Sequence, residues 1–159
     1  MASTLTSGTL TVNIKEECVL DGSDVGKARG YTPSSSVREF AHMFRKLTAA
    51  YLDLVEFKSS PTESGSQFDA DQVKYVRITN LDNSDNVALA IHYGSSSVFS
   101  WLLRPGETFM MGNPLGAAFE AEGAPTRDIT KIRARGISAP PDVELIVGSE
   151  YREVFTTPT

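Results

Sequence analysis

The stretch Val73–Tyr93, VKYVRITNLDNSDNVALAIHY, carries the pattern that decides the fold. Its first part, Val73–Thr79, is rich in β-branched and aromatic residues, which favour strands. Leu81–Asn86 then supplies Asn, Asp and Ser, whose side chains can bond their own backbone in a turn. Val87–Tyr93 returns to apolar residues. We predict that it pairs with the first segment as a hairpin.

Short strands separated by turn residues continue on both sides of this stretch. Downstream we predict strands at Val98–Leu103, Thr108–Met111, Ile129–Ala134 and Val143–Val147. The turn Arg104–Glu107 contains Pro then Gly, which suit the middle positions of a type II turn. Upstream, Thr9–Ile14 alternates as a half-buried strand does, whereas Asp21–Ser36 is dense in Gly, Ser and Asp and predicts a long loop or arm.

Val37–Leu47 fits two structures. Ser36 with Glu39 can form the capping box that begins a helix. The alternative is a strand, one face of which would carry Phe40, His42 and Phe44. We favour the strand because its surroundings are all-β, and we expect Tyr51–Phe57 to be its hairpin partner.

Length and composition indicate one globular domain. The chain has 159 residues, of which 40% are hydrophobic and 22% charged, as in ordinary globular proteins. About eight or nine strands at intervals of roughly 8–12 residues are typical of a sandwich or barrel. We therefore predict a single all-β domain over residues 1–159, an antiparallel β-sandwich of jelly-roll-like form. Its best-defined core is expected at residues 73–148, with extended arms at residues 1–8 and 152–159.

Charge and hydropathy make some partners improbable. The net charge of −5 disfavours nucleic acid, because a nucleic-acid binder normally needs a basic face. No run of 18 apolar residues is present, so we expect no spanning helix and no membrane partner. Residues 1–14 lack the basic start and apolar run of a secretory signal. The chain is therefore expected to be made and kept soluble, with no export signal of its own.

Side chains suited to catalysis are few. Cys18 is the only cysteine, which excludes an internal disulfide and a cysteine-based zinc site. His42 and His92 lie in predicted strands without metal-site spacing. Asp82 and Asp85 share a turn that lacks the spacing and distal Glu of a calcium loop. Neither a Gly-x-Ser-x-Gly elbow nor a phosphate-binding loop occurs. We predict no enzyme activity, no catalytic residue, no metal and no cofactor.

The predicted strand Val98–Leu103 is mainly apolar on both faces. Phe99 and Trp101 share one face. The other face carries Val98, Ser100 and Leu102. Apolar residues on both faces indicate burial on both sides, so we expect Phe99 and Trp101 to contact a neighbouring subunit as well as the core. The alternative is an aromatic platform for a sugar, which would need Tyr93 or Trp101 exposed beside polar groups.

Four segments carry a resemblance to a known class of proteins. They are Tyr75–Ile91, Leu103–Phe109, Asp128–Ala134 and Val143–Val147. Their order, a strand, a Thr-Asn-Leu-Asp turn, a strand, a Pro-Gly-Glu turn and two more strands, resembles small structural proteins of tailed phages, particularly marine and cyanobacterial ones. The similarity covers residues 73–148. It implies a β-sandwich component of the virion without catalytic residues.

This resemblance sets the functional expectation. The leading hypothesis is a capsid decoration, or cement, protein that stabilises the shell through multivalent contacts. Its partners would be further copies of itself, for instance in a trimer, and virion proteins such as the major capsid protein or tail proteins. The alternatives are a tail, baseplate or fibre-junction accessory protein, and a carbohydrate-binding module for host recognition.

Overall fold

The structure, a computed structural model, is all-β in the part of the chain that it describes. It describes residues 9, 11–15, 19–20, 23–24, 28–31, 37, 39–59, 66–94, 97–112 and 129–150. Within them the chain forms thirteen strands and no helix. Their bounds are β1 Val12–Lys15, β2 Val19–Leu20, β3 Ser23–Asp24, β4 Ala28–Tyr31, β5 Glu39–Lys46, β6 Leu52–Lys58, β7 Gln67–Asp69, β8 Val73–Asn80, β9 Val87–Tyr93, β10 Ser97–Leu103, β11 Thr108–Gly112, β12 Ile129–Gly136 and β13 Asp142–Ser149.

Two sheets pack face to face as a sandwich. One has the order β11-β8-β13-β5 and the other the order β10-β9-β12-β6, to which β7 is added at the β6 edge. Every pair in them is antiparallel except β6–β7, which is parallel. Eight principal strands arranged in this order form a jelly roll. The predicted sandwich of jelly-roll-like form is therefore confirmed. Two small sheets, β1–β4 and β2–β3, come before it in the chain.

The core lies between the inner faces of the two sheets. Alternate residues of each principal strand point inward, as the period of two in a strand requires. On β13 these are Val143, Leu145 and Val147, all fully buried, and on β12 they are Ile132 and Ala134. These residues belong to one continuous apolar cluster. Burial of this cluster is the main term that stabilises the fold.

Both hairpins predicted between neighbouring segments are wrong. β8 and β9 lie in different sheets, and so do β5 and β6. The connection 81–86 carries the chain from one sheet to the other, a separation of about 10 Å. Alternation of apolar residues specifies which face of a strand is buried, but it does not specify the neighbour with which the strand pairs. The strand itself is confirmed at Val37–Leu47, since β5 occupies most of it.

Two further outcomes concern the amino-terminal third. Asp21–Ser36, predicted as a loop or arm, contains the strands β3 and β4, and β4 pairs with β1. The predicted arms at residues 1–8 and 152–159 lie outside the described residues. The four strands predicted after residue 97 match the observed strands to within two residues at each boundary.

The turn at Pro105-Gly106 links the two sheets. Glu107 N donates to Arg104 O at 3.0 Å, and Gly106 has a φ of +76°. These features are those of the predicted type II turn. Because β10 and β11 belong to different sheets, this turn brings two edge strands to the same side of the sandwich.

Asn80 secures the corner that this turn forms. Its side chain is fully buried. Its Nδ2 donates to Asp85 O at 2.9 Å and to Leu103 O at 3.2 Å, and its Oδ1 accepts from Asp82 N at 3.0 Å. The end of β8 is thereby bonded to the following loop and to the end of β10, which fixes where the β10 edge lies.

Candidate functional site

The predicted interface residues lie on a sheet edge. β10 is the last strand of its sheet and pairs with β9. Phe99 and Trp101 point to the same side as Leu103, which is buried, so they occupy the inner face of the sheet. They nevertheless remain 49% and 48% exposed. The inner face of β10 therefore continues beyond the buried core as an exposed aromatic surface.

The rings of this edge contact one another across the two sheets. The Phe99 and Trp101 ring centroids are 5.9 Å apart, and those of Trp101 and Phe109 are 6.4 Å apart. Phe109 lies on β11, the edge strand of the other sheet. Between the sheets here is a cavity of about 390 Å³ with an apolar lining. Its lining residues are Ile91, Tyr93, Phe99, Phe109, Met111 and Ile129. Both sheets thus contribute to one apolar region.

The outer face of β10 is apolar as well. Val98 and Leu102 are 48% and 49% exposed on that face. The seven residues of the strand, SVFSWLL, include no charged residue and no proline. Soluble proteins usually protect edge strands with charges, proline, bulges or short length. We call the exposed residues Val98, Phe99, Trp101 and Leu102 the β10 patch.

The structure thus brings the two predicted interface residues together on an exposed edge. That they contact another subunit stays a prediction. The conditions set for a sugar platform are met in part, because Tyr93 and Trp101 are 39% and 48% exposed. The rings nearest to Trp101 are, however, Phe99 and Phe109, which offer a sugar no hydrogen bonds.

A second surface lies on the outer face of the four-stranded sheet. His42 Nε2 and Glu144 Oε1 are 2.8 Å apart, and Arg77 Nη2 donates to Glu144 Oε2 at 2.6 Å. Beside them Phe40 and Phe44 are 55% and 64% exposed. The strand alternation predicted the shared face of Phe40, His42 and Phe44. The sequence did not predict the polar partners. Glu144 lies 102 residues from His42 along the chain, and Arg77 lies 67 residues from Glu144.

The electrostatics of this cluster favour an ionised Glu144. Partial burial alone would raise the pKa of its carboxyl. The hydrogen bond from His42, together with the charge and hydrogen bond of Arg77, outweighs burial and lowers the pKa below its ordinary value. Glu144 is therefore a carboxylate that holds two side chains in place across the sheet.

The acidic turn 81–86 directs its carboxylates to backbone donors. Asp82 Oδ1 accepts from Asp85 N at 2.7 Å and from Ser84 N at 2.8 Å, and these bonds lower the pKa of Asp82. Asp85 is buried and accepts from Ser138 N and Ala139 N, each at 3.1 Å. Within the described ranges, no group of three or more His, Cys, Asp or Glu side chains is placed to hold a metal ion.

His92 is placed differently from His42. It lies on β9 opposite Lys131 of β12. Desolvation, followed by the charges of Lys131 and Arg133, lowers its pKa below the ordinary value. With its pKa lowered, the His92 imidazole is uncharged at neutral pH, beside the cationic Lys131 and Arg133.

Comparison with protein families, curated proteins and solved structures gave no match. In the part of the chain that the structure describes, no helix has the length and apolar character to cross a membrane.

Proposed function

We propose that this chain is a non-enzymatic structural protein of a phage particle, with capsid decoration as its leading role. One observation carries the proposal: a jelly roll exposes a charge-free apolar edge, the β10 patch. Exposed apolar patches on soluble domains mark sites of interaction. Jelly rolls recur in viral capsid and lectin domains. An assembly protein needs a folded domain with an exposed surface that binds its neighbours.

The size of the patch suits repeated attachment. Its four half-exposed side chains offer roughly 400 Å² of apolar surface, given the areas that such side chains bury. At about 25 cal/mol per Å², complete burial contributes about 10 kcal/mol. Association opposes this with roughly 4–15 kcal/mol of lost freedom. A single contact is therefore modest, and many contacts on one particle together give firm attachment.

The direct test is a count of copies per particle. Quantitative mass spectrometry of purified particles, with a labelled standard of the full chain, gives this number. Several hundred copies would support decoration of the shell. A count between a few and a dozen would contradict decoration and support the tail, baseplate or fibre-junction alternative. Absence of the chain from the particle would overturn the structural role altogether.

A carbohydrate-binding module for host recognition is the second candidate, and the outer face of the four-stranded sheet favours it. There the exposed Phe40 and Phe44 flank the His42–Glu144 pair. An aromatic ring beside polar groups can stack on a sugar and bond its hydroxyls. Calorimetry with a panel of glycans tests this hypothesis. A sugar whose affinity falls at least tenfold in Phe44→Ala, but not in Phe99→Ala, would support it, and equal binding by both variants would contradict it.

A further inference from the structure

The free edge of β10 has unpaired backbone as well as exposed side chains. In an antiparallel pair, alternate residues of each strand direct their N–H and C=O groups away from the partner. β9 therefore satisfies only part of the β10 backbone. Among the described residues, no strand pairs with the other side of β10. Such an edge is a template for one more strand.

The other ends of the two sheets are better protected. β7 has three residues, of which one is Asp69. β5 carries the exposed Arg45 and Lys46. β11 has five residues and ends in a glycine. β10 is the one described edge of the sandwich that is long, charge-free and apolar on both faces.

The sequence of β10 complements itself. In a two-fold antiparallel pairing about an axis normal to the sheet, residue pairs must lie on the same face. Only a pairing centred on Ser100 includes all seven residues of the strand. It places Val98 opposite Leu102 of the second copy, Phe99 opposite Trp101, and Ser100 opposite Ser100. Every large side chain of the patch then meets an apolar one at about 4.5–5.5 Å between Cβ atoms.

The charge of the β10 strand and the area of its patch are both compatible with a second copy of the chain as the partner. No like charges are opposed along the strand, because it has none. Complete burial of both copies of the patch would cover roughly 800 Å² of side-chain surface, which is an upper limit because an added strand contacts only the flank of each side chain. The paired backbone and strand ends add to it, which brings the contact close to the lower limit of about 1,000–1,200 Å² for specific interfaces.

We propose that a second copy of this chain pairs with the free edge of β10, antiparallel and centred on Ser100. The two five-stranded sheets then continue into one another. This pairing rests on the proposed function and names a second copy as the partner of the β10 patch, so that other surfaces of the dimer, repeated over many copies, would contact the shell. A two-fold contact of this kind gives dimers. A dimer agrees with the homo-oligomer expected from the sequence, for which a trimer was given only as an example.

Light scattering on the full chain tests the pairing. The wild type should have twice the 17.2 kDa mass of one chain. Ser100→Lys and Ser100→Asp each place like charges opposite one another at the axis, so each should halve the mass. An equimolar mixture of the two variants should restore the dimer, because lysine then faces aspartate. Ser59→Lys, at an exposed serine after β6 on the far side of the sheet, is the matched control and should stay dimeric.

A monomeric or trimeric wild type would overturn the pairing. Dimers that persist in both Ser100 variants, or a mixture that stays monomeric, would also overturn it. If the charged variants do not fold, Ser100→Cys in a Cys18→Ser chain replaces them: oxidation should crosslink it, but not Ser59→Cys in the same background. The copy count in the particle is independent of these results. A monomeric chain that is abundant in the particle refutes the pairing alone, and a dimer absent from the particle refutes the proposed function alone.

Discussion

Replacement of Asn80 by alanine removes the side chain that joins the end of β8 to the following loop and to the end of β10. Its amide makes three hydrogen bonds in a fully buried position, with Asp82 N, Asp85 O and Leu103 O. Each such bond contributes about 1 kcal/mol net, and each partner left unpaired adds a desolvation penalty. We therefore expect a loss of about 3–5 kcal/mol in the free energy of unfolding.

This loss is measurable against a total stability of roughly 5–15 kcal/mol. For a domain of this length it corresponds to a fall of about 10 °C in Tm. Urea denaturation gives the free energy and calorimetry gives Tm. Asn83→Ala is the matched control, because Asn83 is exposed in the same loop, and it should change stability by less than about 0.5 kcal/mol.

The charged isostere sharpens this test. Asn80→Asp keeps the acceptor for Asp82 N but turns an oxygen towards the carbonyls of Asp85 and Leu103. It should be at least as unstable as the alanine variant at neutral pH, and it should recover in part in acid, where a protonated carboxyl can donate one bond. A loss under about 1 kcal/mol in Asn80→Ala, equal to that of the control, would refute the view that this side chain holds the corner.

Three further predictions concern backbone geometry and charge. Gly106→Ala should cost about 1 kcal/mol in urea denaturation, because φ is positive while no atom lies within 4 Å of the added Cβ. Gly136→Ala should lower the free energy of unfolding by about 2–3 kcal/mol, because the added Cβ would overlap Ala139 O and Pro141 Cδ. An equal loss of stability in the two glycine variants would contradict this. The folded-state pKa of Glu144 is lowered, so its stabilisation is present above its ordinary pKa of 4.5 and is lost as pH falls through the lower folded value. Between these values Tm should fall more steeply with acidification in the wild type than in Glu144→Gln, and parallel Tm curves would contradict the assignment.

The sequence predicted individual strands well because each strand depends on local alternation. β8 and β9 were both located, and so was the turn at Gly106, whose residue types meet a local backbone requirement. Their pairing was predicted wrongly, because the strands beside β8 are β11 and β13, and β13 lies more than sixty residues further along the chain. The alternation of apolar residues along a strand does not identify a partner that lies so far away in the sequence.

The candidate site divides in the same way. Phe99 and Trp101 were found because a strand that is apolar on both faces stands out in the sequence. Their position on an edge could not be predicted, because it depends on which strands fill the rest of the sheet. The cluster of His42, Arg77 and Glu144 joins three strands that are remote in sequence, and only the folded sheet brings its members together.

Amide hydrogen exchange along β10 tests the central claim most directly, that this edge is covered when the protein assembles. The outward-facing amides of Ser97–Leu103 should exchange fast in the chain diluted until it is monomeric and become protected in the assembled particle, while exposed loop amides such as those of Asn83–Ser84 stay unchanged. If the β10 amides exchange equally fast in both states while another surface becomes protected, the β10 edge is not the assembly surface.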